Sequence, residues 1–296
     1  MIIQFLNGGL ANQVYQYIFY RFLQLSRQGD GSDIFLDDSY FYVNHIHNGY
    51  ELERVFGLHP NLLSRVFDAD VWEEMLAAKR AGDSIPQTFL NMGENIAMFT
   101  EASNCKQHNP FRGQVYWAEG SNLYTPELAG VDGNWYIHGY WLNSAYFRAY
   151  EDILRRELCF PEITDSRNLA YLDRILNEDS FSVHVRRGDF VQAGLSLAES
   201  EYRTVIQAVV EERPNVTIVL FSDDLDWCRA HKEALGLTLT DKVLYIEGNR
   251  GKESYRDLQL MSNCRGMLVA NSSFNCLAAM LNRRREYLIN LSIMEL

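Results

Sequence analysis

The sequence predicts an α/β protein, with two Rossmann-like lobes facing a central cleft. Three observations carry the α/β part. β-rich runs alternate with helix-period segments through the second half, which calls for a parallel sheet with helices on both faces. Residues 216–221 form an unbroken apolar run, as a strand buried on both faces requires. The chain also opens with a strand, a glycine turn and a helix, and its 296 residues, 47% hydrophobic, suffice for two ordinary domains.

Taken in order, residues 2–6 read as a strand, 11–27 as a helix and 34–36 as a second short strand. Residues 71–130 mix helix signals with polar turns and aromatics and resolve into no clear element. Residues 135–141 read as a strand and 144–158 as a helix. The boundary falls near 161–179, giving lobes of 1–170 and 171–296. Beyond it come strands at 180–186, 216–221, 242–246, 266–270 and 287–291. Helices at 199–213, 224–235, 253–262 and 273–282 separate them, and Pro214-Asn215 ends the first of these. Ligands of such sheets gather at the carboxyl ends of the strands.

A formal net charge of -12 argues against a general nucleic-acid binder, which needs a broad basic surface. It leaves room for a few clustered arginines around an anionic small ligand. The five cysteines (Cys105, Cys159, Cys228, Cys264 and Cys276) are scattered, with no pair at zinc or redox spacing. They read as thiols of a reducing compartment, and the expected location is cytoplasmic. No secretion signal opens the chain, and no run of about 18 apolar residues occurs. The glycosylation triplets at Asn215, Asn271 and Asn290 therefore carry little weight.

Four segments could carry chemistry. In Ser182-Val183-His184-Val185-Arg186-Arg187-Gly188-Asp189, strand alternation puts His184 and Arg186 on one face and Arg187 on the other. A planar guanidinium can hold two phosphate oxygens, so Arg186 suits a diphosphate, while Arg187 suits a scaffold carboxylate. Structural salt bridges closing the strand end are the plain alternative. Asp223-Asp224 follows the best buried strand; a carboxylate there could accept two N–H bonds from the edge of guanine, cap the next helix, or bind magnesium. Asn271-Ser272-Ser273-Phe274 opens a helix, whose N-terminal N–H groups attract phosphate or are simply capped by serine. Asn7-Gly8-Gly9-Leu10-Ala11-Asn12-Gln13 is a tight turn without the dinucleotide fingerprint. A fifth segment, from Ile137 to Phe147, is rich in aromatics that could hold a sugar ring or form core.

Together and in this order the segments resemble the α-1,2-fucosyltransferases, glycosyltransferase family eleven, of bacterial type. The matches are Gly8-Gly9-Leu10-Ala11-Asn12-Gln13, Gly139-Tyr140-Trp141 with Tyr146-Phe147, His184-Val185-Arg186-Arg187-Gly188-Asp189, Phe221-Ser222-Asp223-Asp224 and Asn271-Ser272-Ser273-Phe274. Tyr50-Glu51-Leu52 with Phe56 adds to them. Ala11 stands where the family usually has glycine, and Asn275-Cys276-Leu277 replaces a more usual serine and two tryptophans.

The resemblance implies the GT-B-like fold, GDP-L-fucose as donor, inversion at the anomeric carbon and no required metal or cofactor. It makes the first lobe the acceptor side and the second the GDP-sugar side. It puts Arg186 on the β-phosphate, His184 and Asp223-Asp224 near guanosine, and Ser272, Ser273 and Phe274 along the diphosphate and nucleoside. Asn12 approaches the donor from the first lobe. The expected reaction is a single displacement by the 2-hydroxyl of a galactose. Arg186 would stabilise the leaving group, with Asp189 as candidate general base and His138 behind it. Acceptors of such enzymes are galactose-containing oligosaccharides or lipid-linked glycans. Arg283-Arg284-Arg285 reads either as a helix end or as a contact with an anionic membrane. A noncatalytic sugar-nucleotide-binding module and a transferase for another nucleotide sugar are the alternatives.

Overall fold

The computed structural model describes residues 1–27, 29, 33–101 and 111–292, with Asp189 described by its backbone alone. The chain divides into unit 1, Met1–Cys159, and unit 2, Phe160–Leu296. The division falls just ahead of the expected stretch, so the helix Ser166–Asn177, which the sequence reading did not resolve, belongs to unit 2.

Unit 1 holds β1 (Ile2–Phe5), β2 (Ile34–Asp37), β3 (Ala97–Thr100), β4 (Val115–Trp117) and β5 (Trp135–His138), in the order β2-β1-β5-β3-β4. Every pairing is parallel. The chain steps outward from β1 to β2, crosses over, and returns through β3 and β4 to β5. Strand order therefore reverses between β1 and β5. Ile3, Met98 and Tyr136 pack against Trp72, Met75 and Leu76 of the helix Ala69–Arg80, and against Ile85 and Phe89 beyond it.

Unit 2 holds β6 (Ser180–Val185), β7 (Thr217–Ser222), β8 (Val243–Tyr245), β9 (Gly266–Val269) and β10 (Tyr287–Asn290), in the order β10-β9-β6-β7-β8, again all parallel. Its reversal lies between β6 and β9. Phe181, Val183 and Val185 face Tyr202, Ile206 and Val209 of the helix Glu199–Glu212. The opposite face, Ser180, Ser182 and His184, is buried as well. Both faces of β6 are thus covered, and each fully buried apolar side chain contributes about 1.5–3 kcal/mol. These two α/β units are the Rossmann-like pair the sequence predicts.

Several boundaries differ from expectation for physical reasons. The helix expected at 144–158 breaks into Ala145–Ala149 and Glu151–Glu157 at Tyr150, whose φ of -138° and ψ of 39° are not helical. The helix after β7 is only Leu225–Ala230. The strand expected at 135–141 stops at His138, because the Glu101 carboxylate captures the N–H groups of Tyr140 (2.7 Å) and Trp141 (3.3 Å). Trp141 then takes a φ of 57°, stacks on Phe19 at 4.1 Å and donates to Gln4 Oε1. Trp141, Tyr146 and Phe147 are buried, which is the core reading of this aromatic segment.

Among the described residues, Cys159 is an exposed free thiol and Cys228, Cys264 and Cys276 are buried ones; Cys105 lies outside the described residues. No described helix is long and apolar enough to cross a membrane. Arg284 donates to the carbonyls of Asn263 and Leu176, and Arg285 to that of Ala279 in the last turn of Ser273–Leu281. That placement is the helix-end reading of the arginine triplet.

Candidate active site

Unit 2 brings most of the predicted residues to one place. β6 and β9 end side by side at the reversal of strand order. His184-Val185-Arg186-Arg187 leaves β6, and Asn271-Ser272-Ser273 leaves β9 and opens the helix Ser273–Leu281. The rings of His184 and Phe274 lie 5.9 Å apart and tie the two exits together. Ser272 is the N-cap residue of that nine-residue helix and makes no side-chain cap bond.

Arg186 donates through Nη1 to Asp223 Oδ2 at 2.8 Å. Oδ1 of the same carboxylate accepts the Arg187 backbone N–H, also at 2.8 Å. Asp223 thus fixes both the guanidinium and the turn that follows β6. The next residue, Gly188, has a φ of +23°, and a Cβ there would come within 2.8 Å of Asp223 Oδ2. Only glycine lets the carboxylate approach so closely.

Arg187 corrects an expectation. It makes no ion pair among the described residues; its guanidinium lies over the Trp227 ring, 3.7 Å from the centroid. The reason is local. Arg187 has φ -114° and ψ -98°, so strand alternation has already ended, and the next helix supplies an aromatic face instead of a carboxylate. Capping falls to Asp224, whose Oδ1 accepts the Trp227 N–H at 3.0 Å. Its Oδ2 accepts no hydrogen bond among the described residues.

His184 is buried, and its Nδ1 has no hydrogen-bond partner among the described residues. Burial first, and the neighbouring Arg186 second, push its pKa down to about 3. The imidazole is therefore neutral at working pH and leaves the positive charge to Arg186. Asp189 lies in the first turn of the short helix Gly188–Ala193, and its side chain lies outside the described residues. Among the described residues no cluster of three or more metal-ligating side chains occurs.

Asn12 belongs to unit 1. It lies in the first turn of the helix Leu10–Ser26, over Gly8, whose φ is +78° and whose missing Cβ would meet the Asn12 amide nitrogen at 2.8 Å. Around it the sequence reading missed a buried scaffold. Gln13 donates to the carbonyls of Gly8 and Gly49 and accepts from the Glu51 N–H. Gln16 donates to Asn7 Oδ1 and to the Gly139 carbonyl, joining the exits of β1 and β5. Two fully buried glutamines at i, i+3 on an apolar helix were the available signal. At the end of β5, His138 stacks on Phe5 at 4.8 Å beside Lys79, and burial followed by that cation lowers its pKa to about 4.

The family model described as "Glycosyl transferase family 11" matches residues 120–294, more than half of the chain. The protein is a glycosyltransferase, which sets aside the noncatalytic alternative. It belongs to glycosyltransferase family 11. An α-1,2-colitosyltransferase of Escherichia coli is 27% identical over 93% of this chain and 85% of its own. The O-antigen biosynthesis glycosyltransferase WbnK, also of Escherichia coli, is 26% identical over 38% of each chain. Among solved structures, POFUT1 in complex with GDP-fucose superposes with a TM-score of 0.49 at 12% identity, covering 98% of this chain and 97% of that one.

Proposed function

We propose that the protein transfers L-fucose from GDP-L-fucose to the 2-hydroxyl of a galactose-containing acceptor, with inversion and without a metal. The observation that carries this reading is the placement of Arg186 and the start of Ser273–Leu281 at the β6–β9 reversal, the position where open parallel sheets bind nucleotides. As the glycosidic bond to GDP breaks, negative charge grows on the diphosphate. The guanidinium, aligned by Asp223, and the first-turn N–H groups of the helix are suited to receive it.

His184, Phe274 and the outer oxygen of Asp224 are assigned to the nucleoside side, and Ser272 and Ser273 to the diphosphate. Asn12 is assigned to the donor on its motif alone, and Asp189 is the assigned base for the acceptor hydroxyl. The N-terminal unit is assigned to the acceptor.

A second donor is favoured by one observation: the relative matching nearly the whole chain is named for colitosyl transfer in α-1,2 linkage. Incubation with GDP-fucose or a GDP-colitose donor, a galactoside acceptor and excess chelator, followed by linkage analysis, tests both. An α-1,2-fucosyl product with stoichiometric GDP is expected. No transfer from GDP-fucose, or transfer that needs a divalent cation, would overturn the corresponding part of the proposal.

A further inference from the structure

Unit 1 contains a cavity of about 300 Å³ beyond the carboxyl end of β2, one strand away from the β1–β5 reversal. Its size is at the small end for ligand pockets. Three aromatic rings, Phe41, Tyr42 and Tyr50, line it together with Asp38, Ser64 and Arg65. Tyr42 is 45% exposed, and its ring meets Trp72 edge-on at 5.6 Å. Asp38 is held in place by the Ser64 backbone N–H (3.1 Å) and hydroxyl (2.5 Å), which leaves its remaining lone pairs for other donors. The Tyr50 hydroxyl is shielded from solvent and has no hydrogen-bond partner among the described residues. Buried hydroxyls are normally satisfied, so an orphan on a cavity wall calls for an explanation.

The lining also says what does not belong there. Its cation, Arg65, already pairs with Glu53 at 2.5 Å, and Asp38 repels anions. A phosphate or carboxylate finds no complement. A neutral ring with apolar C–H faces and several hydroxyls does: the aromatics meet the faces, and Asp38 and Tyr50 meet the hydroxyls.

We infer that this cavity binds one neutral pyranose of the acceptor glycan, a residue other than the one that reacts. This rests on the proposed transfer only for calling the glycan an acceptor. One strand separates the cavity from the β1–β5 reversal, where an open parallel sheet takes its principal ligand.

The test uses the full chain and two probes, methyl β-galactoside and a galactose-terminated tetrasaccharide. Binding is read by ligand-observed NMR and, separately, by initial transfer rates. Tyr50→Phe deletes only the orphan hydroxyl, and Tyr42→Ala deletes a half-exposed ring, so both variants keep the fold. Each is expected to weaken tetrasaccharide binding, and raise its KM, about tenfold, the size of one lost hydrogen bond or ring contact. GDP affinity, kcat and the galactoside KM should not move. Failure of the wild type to bind the tetrasaccharide, or equal binding by wild type and both variants, would overturn the inference. Binding that responds to Tyr50→Phe without any fucosyl transfer would instead keep the sugar site and refute the proposed reaction.

Discussion

At the carboxyl edge of the second sheet, Arg186 reaches a partly exposed carboxylate, Asp223, and stays one-third exposed itself. At the corresponding edge of the first sheet the polar groups turn inward. Tyr136 donates to Asp37 at 2.6 Å, Glu101 collects the N–H groups of Asn122, Tyr140 and Trp141, and Gln16 joins two strand exits. Two five-stranded, all-parallel sheets thus end in different chemistry. One tip presents the Arg186 guanidinium, aligned by a carboxylate that also holds the backbone of the turn. The other uses its carboxylates to set the backbone. A charge that must act on a changing ligand has to remain reachable, whereas a charge that shapes a loop works best buried and saturated with donors.

Substitutions can break that contrast. The largest expected effect is Arg186→Ala, which should lower transfer about 10²–10³-fold and weaken GDP binding, with an unchanged circular dichroism spectrum. Undiminished transfer would remove Arg186 from the site. Glu101→Gln should do the opposite. It places an amide NH₂ against backbone N–H groups, and urea titration should show unit 1 losing about 2–3 kcal/mol while GDP affinity holds.

The histidines sharpen the comparison because both tips keep one neutral. In the unfolded chain each imidazole takes up a proton near pH 6.5. In the fold His138 resists until about 4 and His184 until about 3. Their contribution is full above 6.5 and is lost as pH falls. Between pH 6 and 5, wild type should lose about 1.2 kcal/mol relative to either His→Gln variant, read from paired unfolding curves. A pH-independent difference would mean that the imidazole in question is solvated. Asp223→Asn should raise the GDP Kd about tenfold by releasing Arg186 and the Arg187 N–H. The smallest effect is expected from chelator, which should leave the transfer rate unchanged.

Much of unit 2 was legible because β7 and β9 are apolar runs bounded by turn residues and β6 alternates, and Arg186 does lie near enough to His184 to lower its pKa. Alternation failed one residue later, where the backbone had already left the strand. Asp223 therefore went to Arg186, and Trp227 to Arg187. Unit 1 was harder. β3 and β4 are four and three residues long, and β4 is an exposed edge, so neither offers enough periods for a pattern to emerge. The helix Ser166–Asn177 buries only Asn168 and Ile175, which let it pass for a linker. Gln13, Gln16 and Glu101 do their work through backbone groups distant in sequence, and no local spacing announces that.

The order β2-β1-β5-β3-β4 also has a consequence during synthesis. β1 can join β2 once residue 37 has been made, but its other neighbour follows about 100 residues later. At ribosomal speeds of about 5–20 residues per second, that leaves the hydrogen-bonding edge of β1 unsealed for roughly 5–20 s. An unpaired strand edge of that lifetime is a template for pairing with another chain, a hazard the finished sheet no longer carries at β1.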